Sequence, residues 1–236
     1  MAYNRAIALP APPASDELTS AMVGIGMGFA ASAARTSNIE DTLLFASSEG
    51  MDRDDFRVVA ILTTWFGVHA PYVNADRLTK LVSAHRSVRV RALWSALARW
   101  QAKDRRFARL ARLHRGPPLD LLSTGTEFQL KRHGEDSRFA GSGLRVPANV
   151  LRDRAADVLS PAELSRRHRA YARRVMIGPS YRADMWAALE EDPRLSAAAL
   201  ARKTYGSFAT AWHVRRDFAM LAPPPGRKPA RSARSG

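Results

Sequence analysis

From residue 36 to residue 115 the apolar positions recur every three or four residues, the spacing of amphipathic helices packed on a core. In "SNIEDTLLFASSEG" the stripe is Ile39, Leu43 and Leu44. Ser37 or Asn38 supplies an N-cap, Glu40 and Asp41 suit the first turn, and Gly50 stops the helix. "DFRVVAILTTWFGVHA" predicts a second helix, with Phe56, Val59, Ala60 and Thr63 at helical spacing and Pro71 as its end. Asn74 caps a third in "NADRLTKLVSAH". "SVRVRALWSALARW" and "AKDRRFARLARLHR" join as one long helix, broken by Gly116, Pro117 and Pro118.

The pattern then changes. Residues 126–151 hold two short extended runs around a glycine-rich polar stretch, which reads as a β-hairpin. A hairpin behind packed helices is the layout of a winged helix, so 36–150 is expected to be a helical, winged-helix-like domain. A connecting helix over 151–178 starts with Ser160 as N-cap, Pro161 at the first helical position and Glu163 in the first turn. The Pro/Ala/Ser-rich beginning, residues 1–35, is expected to be loosely ordered. Gly24, Gly26 and Gly28 lie there, but no strand precedes them as a phosphate-cradling loop requires.

Gly178 and Pro179 open a last module over 179–222. Its first helix runs from Tyr181 to Glu191 and turns Met185, Trp186 and Leu189 inward, and Pro193 ends it. Ser196 caps a second helix with Leu200 and Ala201 inside. In the turn Tyr205-Gly206-Ser207, Gly206 is expected to be left-handed and Ser207 to cap a third helix. Projected at 100° per residue, Phe208, Ala211, Trp212, Val214, Phe218 and Leu221 fall on its inner side. Ser207, Thr210, His213 and Arg216 begin a polar outer side, with Asp217 and Met220 beside them. Arg215 falls among the apolar positions and is expected to snorkel outward.

Charge sharpens this picture. Lys and Arg number 37 against 22 acids, a net +15, and a field of that sign attracts polyanions. The ten Arg and Lys residues of 86–115 face a single acid, Asp104. On one helix Arg105, Arg109 and Arg112 would share a face and repel, unless a phosphate backbone or an acidic surface met them. The absence of cysteine excludes disulfides, thiolate metal sites and a cysteine nucleophile, and it fits a cytoplasmic protein. The most apolar stretch, 21–34, is too short to span a bilayer.

The run "LSAAALARKTYGSFATAWHV", 195–214, resembles the helix-turn-helix and winged-helix family of DNA-binding domains through its Leu-Ala pair, turn and capping serine. The turn glycine stands one residue later than is usual in that family, where this chain has Tyr205. The resemblance implies a third helix that enters the major groove, with Ser207, Thr210, His213 and Arg216 approaching base edges. No hairpin follows it. The tail's Arg227, Lys228 and Arg231, with Arg234, would track phosphates as a basic arm, joined by Arg105, Arg109 and Arg112.

The expected fold class is therefore mainly α, a helical body with a winged-helix-like hairpin plus a C-terminal three-helix module. The expected partner is double-stranded DNA, read by a regulator similar in outline to autoregulating antitoxins and defence-operon repressors. A cognate toxin or other acidic protein is the alternative partner. No membrane association, cofactor or metal is expected. The six histidines lack metal-ligand spacing, and only Glu135 and Asp136 beside His133 hint at catalysis.

Overall fold

The computed structural model describes residues 9–221, and its first helix lies in a segment whose composition predicts none. Helix α1 (Ser15–Gly24) buries Leu18 and Met22, and Ile25 and Met27 follow into the same core. Spacings of four and three residues put Leu18, Met22 and Ile25 on one face. The indole N–H of Trp65 donates to the Ile25 carbonyl at 2.7 Å. The glycines permit close packing by other segments: a Cβ at Gly24 would lie 2.3 Å from the Ala34 carbonyl oxygen, and Gly26 has φ +91°. Residues 15–27 are thus an integral wall of the core rather than a loose leader.

The next four helices follow the apolar periodicity: α2 (Ile39–Asp52), α3 (Phe56–His69), α4 (Ala75–Ala84) and α5 (Val88–Trp100). Asn38, Asn74 and Ser87 cap α2, α4 and α5, each accepting from the backbone N–H three residues on. In α3 ten of fourteen residues are buried, which makes it the central helix of the body. Its Phe66 meets Trp94 and Phe107 edge-on, at centroid distances of 5.4 and 5.2 Å.

The long helix expected up to residue 115 ends at Trp100. Beyond it the chain turns back through two 3₁₀ turns, Arg105–Phe107 and Leu110–Arg112. Asp104 nucleates the return by accepting from the Arg106 N–H at 3.0 Å. The reversal carries Phe107 and Leu110 into the core, where both are fully buried. Each such burial contributes about 1.5–3 kcal/mol, against about 0.5–1.5 kcal/mol for a single helical hydrogen bond.

The expected hairpin is also absent among the described residues. Its first half is helix α6 (Thr126–His133), bracketed by Gly125 and Gly134 with φ +73° and +74°. Glu127 in the first turn and Lys131, Arg132 and His133 in the last complement the helix dipole, a charge order the hairpin reading ignored. The second half supplies β2 (Leu144–Arg145), which pairs in parallel with β1 (Leu119–Asp120), Leu119 opposite Leu144. Residues 36–150 therefore form no winged helix.

Helix α7 (Pro161–Arg167) begins with the expected capping box of Ser160 and Glu163. The single connecting helix, however, breaks at His168, which ends α7 and caps α8 (Arg169–Ile177) by accepting from the Tyr171 N–H at 3.1 Å. Leu164 and Tyr171 belong to the same core as α2 to α5, so the body extends to Ser180. Deep in it, Arg174 grips Glu40 with two bonds of 2.6 and 2.9 Å, both side chains 1% exposed or less. Burial alone would push the Glu40 carboxyl up. Arg174, the Asn74 N–H and Arg77 together bring it below its ordinary value.

From Tyr181 a second unit holds α9 (Tyr181–Glu191), α10 (Ala197–Thr204) and α11 (Phe208–Leu221), with a core of its own. Ser196 caps α10 and Ser207 bonds to the Thr210 N–H at the start of α11, both as expected. The left-handed residue is Tyr205, φ +58°, and not Gly206. At Gly206 a Cβ would lie 2.3 Å from the Met185 methyl, the far end of a flexible side chain that would have to shift. Tyr205 thus holds the position where the resembled family places its turn glycine. No helix among the described residues is long and apolar enough to cross a membrane.

Candidate nucleic-acid interface

Helix α11 buries a narrow stripe, Ala211 and Val214, with Phe218 half-buried against Trp186 at 5.2 Å. The broad inner side expected from the projection is therefore too wide. Phe208 and Trp212 are 57% and 50% exposed, and Leu221 is 75% exposed. Alanine at 211 causes this: it lets α11 approach the core closely, so its larger neighbours on either side overhang the edge.

The polar side stands largely as read. Ser207 and His213 are exposed, and Thr210 is partly so. The Ser207 and Thr210 hydroxyls lie 2.8 Å apart, which leaves lone pairs of both outward while Ser207 caps the helix. Arg216 is exposed, lies over the Trp212 ring at 5.6 Å, and bonds Asp217 at 3.1 Å. Asp217 is shared: Arg182 of α9 reaches it at 2.7 Å. Bonds from Arg182 and then Arg216 hold the Asp217 carboxyl below its ordinary range, so it remains the anion that orients Arg216. The His213 ring packs edge-on to Trp212, at 5.1 Å. Four side chains of the polar side are thereby collected on the first two and a half turns of one exposed helix face. Arg215, exposed beside them, adds a second guanidinium.

Charge is distributed unevenly. The residues 181–221 carry six Arg or Lys and five Asp or Glu. Four of the acids lie on α9 or just after it, at 184, 190, 191 and 192, whereas Arg202, Lys203, Arg215 and Arg216 lie on α10 and α11. Residues 222–236 add four basic residues and no acid. Arg227, Lys228 and Arg231 fall outside the described residues.

In the body, Arg105, Arg109 and Arg112 do not share one helical face, because the helix that would align them is replaced by two 3₁₀ turns. All three are exposed, and none makes an ion pair or side-chain hydrogen bond among the described residues. Arg105 and Arg112 line one shallow depression together with Arg99; Arg109 does not. Sequence reasoning missed that Arg99 joins them, since only the chain reversal brings α5 beside the later arginines.

The acidic pair beside His133 is separated by the fold. Arg138 clamps the Asp136 carboxylate at 2.5 Å and also donates to the Leu151 carbonyl, so Asp136 anchors a loop, while Glu135 is exposed. No cluster of three metal-ligating side chains occurs among the described residues. Compared with known proteins, the chain matches no family model, no curated protein and no solved structure.

Proposed function

We propose that the chain is a DNA-binding regulator acting in the cytoplasm, with α11 as the element that enters the major groove. The observation that carries this reading is α11 itself. It is one helix of a three-helix unit, it follows a tight turn, and the side from Ser207 to Arg216 presents two hydroxyls, an imidazole and a guanidinium held by Asp217. These groups match the donors and acceptors of base edges, and an arginine placed against guanine supplies the commonest specific contact. The described part of the unit is nearly neutral. Non-specific attraction to phosphate would come instead from the basic residues of 222–236 and from the surplus of the body, Arg105, Arg109 and Arg112 among them. Repression of its own operon, in the manner of an antitoxin, is the regulatory role that fits the layout.

A second reading has one observation in its favour. Phe208 and Trp212, one turn apart on α11, expose more apolar surface than a groove-reading helix needs. An acidic protein such as a toxin would cover them and pair with Arg215 and Arg216.

The test is a fluorescence-anisotropy titration of the full chain against a duplex from upstream of its own gene and against a shuffled duplex, over a salt series. The upstream duplex is expected to bind tighter, and Thr210→Ala with Arg216→Ala to abolish the preference while leaving the salt slope nearly unchanged. Equal binding of both duplexes by both proteins sinks the reading. Loss of a protein partner in Trp212→Ala, with duplex binding intact, would favour the second.

A further inference from the structure

The reversal after α5 leaves a feature that sequence-specific DNA binding does not use. Between the last turn of α5 and the two 3₁₀ turns lies a depression of about 330 Å³. Ala98, Ala102, Ala108 and Ala111 line it, so four positions facing one another carry only methyl groups. Larger side chains there would fill the space. Arg99, Arg105 and Arg112 complete its lining, all exposed and none with an ion pair or side-chain hydrogen bond among the described residues.

One acid, Asp104, also lines the depression and would oppose an anion. Its charge is directed elsewhere. Arg106 takes both carboxylate oxygens, at 3.0 Å through Nε and 2.5 Å through Nη2, and anchors itself on the carbonyls of Ala70 and Pro71, each at 3.2 Å. The bond from Arg106 holds the Asp104 carboxyl below its ordinary range, so this ion pair persists at neutral pH. Three arginines therefore line the depression with no ion pair of their own among the described residues.

A phosphate lying flat on a DNA surface needs no such hollow, and Arg109, on the same basic stretch, stands outside it. The volume is at the lower end of small-molecule sites, about 300–1,000 Å³. Guanidinium forks match phosphate oxygens in pairs and also stack on planar rings, and alanine methyls give such a ring an apolar bed. We propose that this depression binds a small phosphate ester carrying a planar ring, the chemical class of a mononucleotide. The inference goes beyond the DNA reading; it shares Arg105 and Arg112 with the non-specific phosphate attraction but no residue of α11, so sequence reading by α11 and binding in the depression can fail separately.

The experiment is calorimetric titration of the full chain, without DNA, using adenosine 5′-monophosphate, adenosine and inorganic phosphate as probes. The monophosphate is expected to bind more tightly than either of the others. Arg105→Gln with Arg112→Gln should weaken it about tenfold or more, given two charge-assisted pairs lost. Ala102→Leu, which fills the hollow and leaves the charge unchanged, should weaken it comparably, whereas Arg109→Gln should not. Ala102 and Ala108 are both exposed, so Ala108→Leu serves if Ala102→Leu lowers the melting temperature. No binding of the monophosphate, affinity equal to that of inorganic phosphate, or affinity indifferent to the leucine variants would overturn the proposal.

Discussion

The body and the C-terminal unit solve the same packing problem on different scales. The body encloses two fully buried tryptophans, Trp65 and Trp94, and can hold an ion pair at its centre. The core of the C-terminal unit has eight buried residues, of which four are alanine. So small a core gives marginal stability, and it leaves Phe208 and Trp212 on the surface. The difference teaches where each unit places its chemistry. The body sequesters an ion pair, His69 and His168 to fix its own structure, while the polar side of α11 stays outward.

That contrast can be broken most severely at Glu40 and Arg174. Arg174→Met removes the partner of a carboxylate that no water reaches, and should cost the body about 3–5 kcal/mol in denaturant melts. A loss under 1 kcal/mol would mean the pair is not the anchor it looks to be. The next effect is on pH. Burial lowers His69 from 6.5 to about 4; its Nε2–H donates to the Leu159 carbonyl and its Nδ1 accepts from the Tyr171 hydroxyl, which fixes the neutral ring. A depressed folded value means that stability is full above pH 6.5 and is lost as pH falls towards 4, by roughly 3 kcal/mol. Buried His168 acts in the same direction, and Glu40 extends the loss below pH 4.5. Melts at stepped pH should therefore show the body weakening across that window, and a flat profile would contradict the burial assigned to His69.

Smaller effects sharpen the comparison from the other side. Leu200→Ala opens the small core, and a cost of about 2–3 kcal/mol is enough to unfold a unit of that size. Hydrogen exchange should then show lost protection across 181–221 with α3 still protected. Coincident loss in both regions would show that the two units unfold as one. The smallest change is Ser207→Ala, which frees one N–H at the start of α11 and should cost the C-terminal unit about 1 kcal/mol.

Much of this was legible in the residues. The end of α9 follows from Pro193, and the caps at Ser160 and Ser196 follow from short local rules. What failed depends on contacts distant in sequence. Nothing near Trp100 announces that Phe107 must return to Phe66, and nothing near Ile25 announces Trp65. In residues 9–35 the apolar stripe of Leu18, Met22 and Ile25 is short and lies among alanines, glycines and prolines that predict no packed helix. At the candidate interface the polar side of α11 was readable and the exposure of Trp212 was not. A helical projection gives direction, but how deep each side chain lies depends on how closely Ala211 lets the helix approach.

Whether α11 reads DNA sequence is decided by selecting random-sequence duplexes on the full chain and sequencing those retained. The natural protein is expected to enrich a defined motif that disappears in His213→Ala with Arg216→Ala, each lost base contact removing about 1–3 kcal/mol of discrimination. Retention of duplexes without any enriched motif, or the same motif from both proteins, would contradict sequence reading by α11.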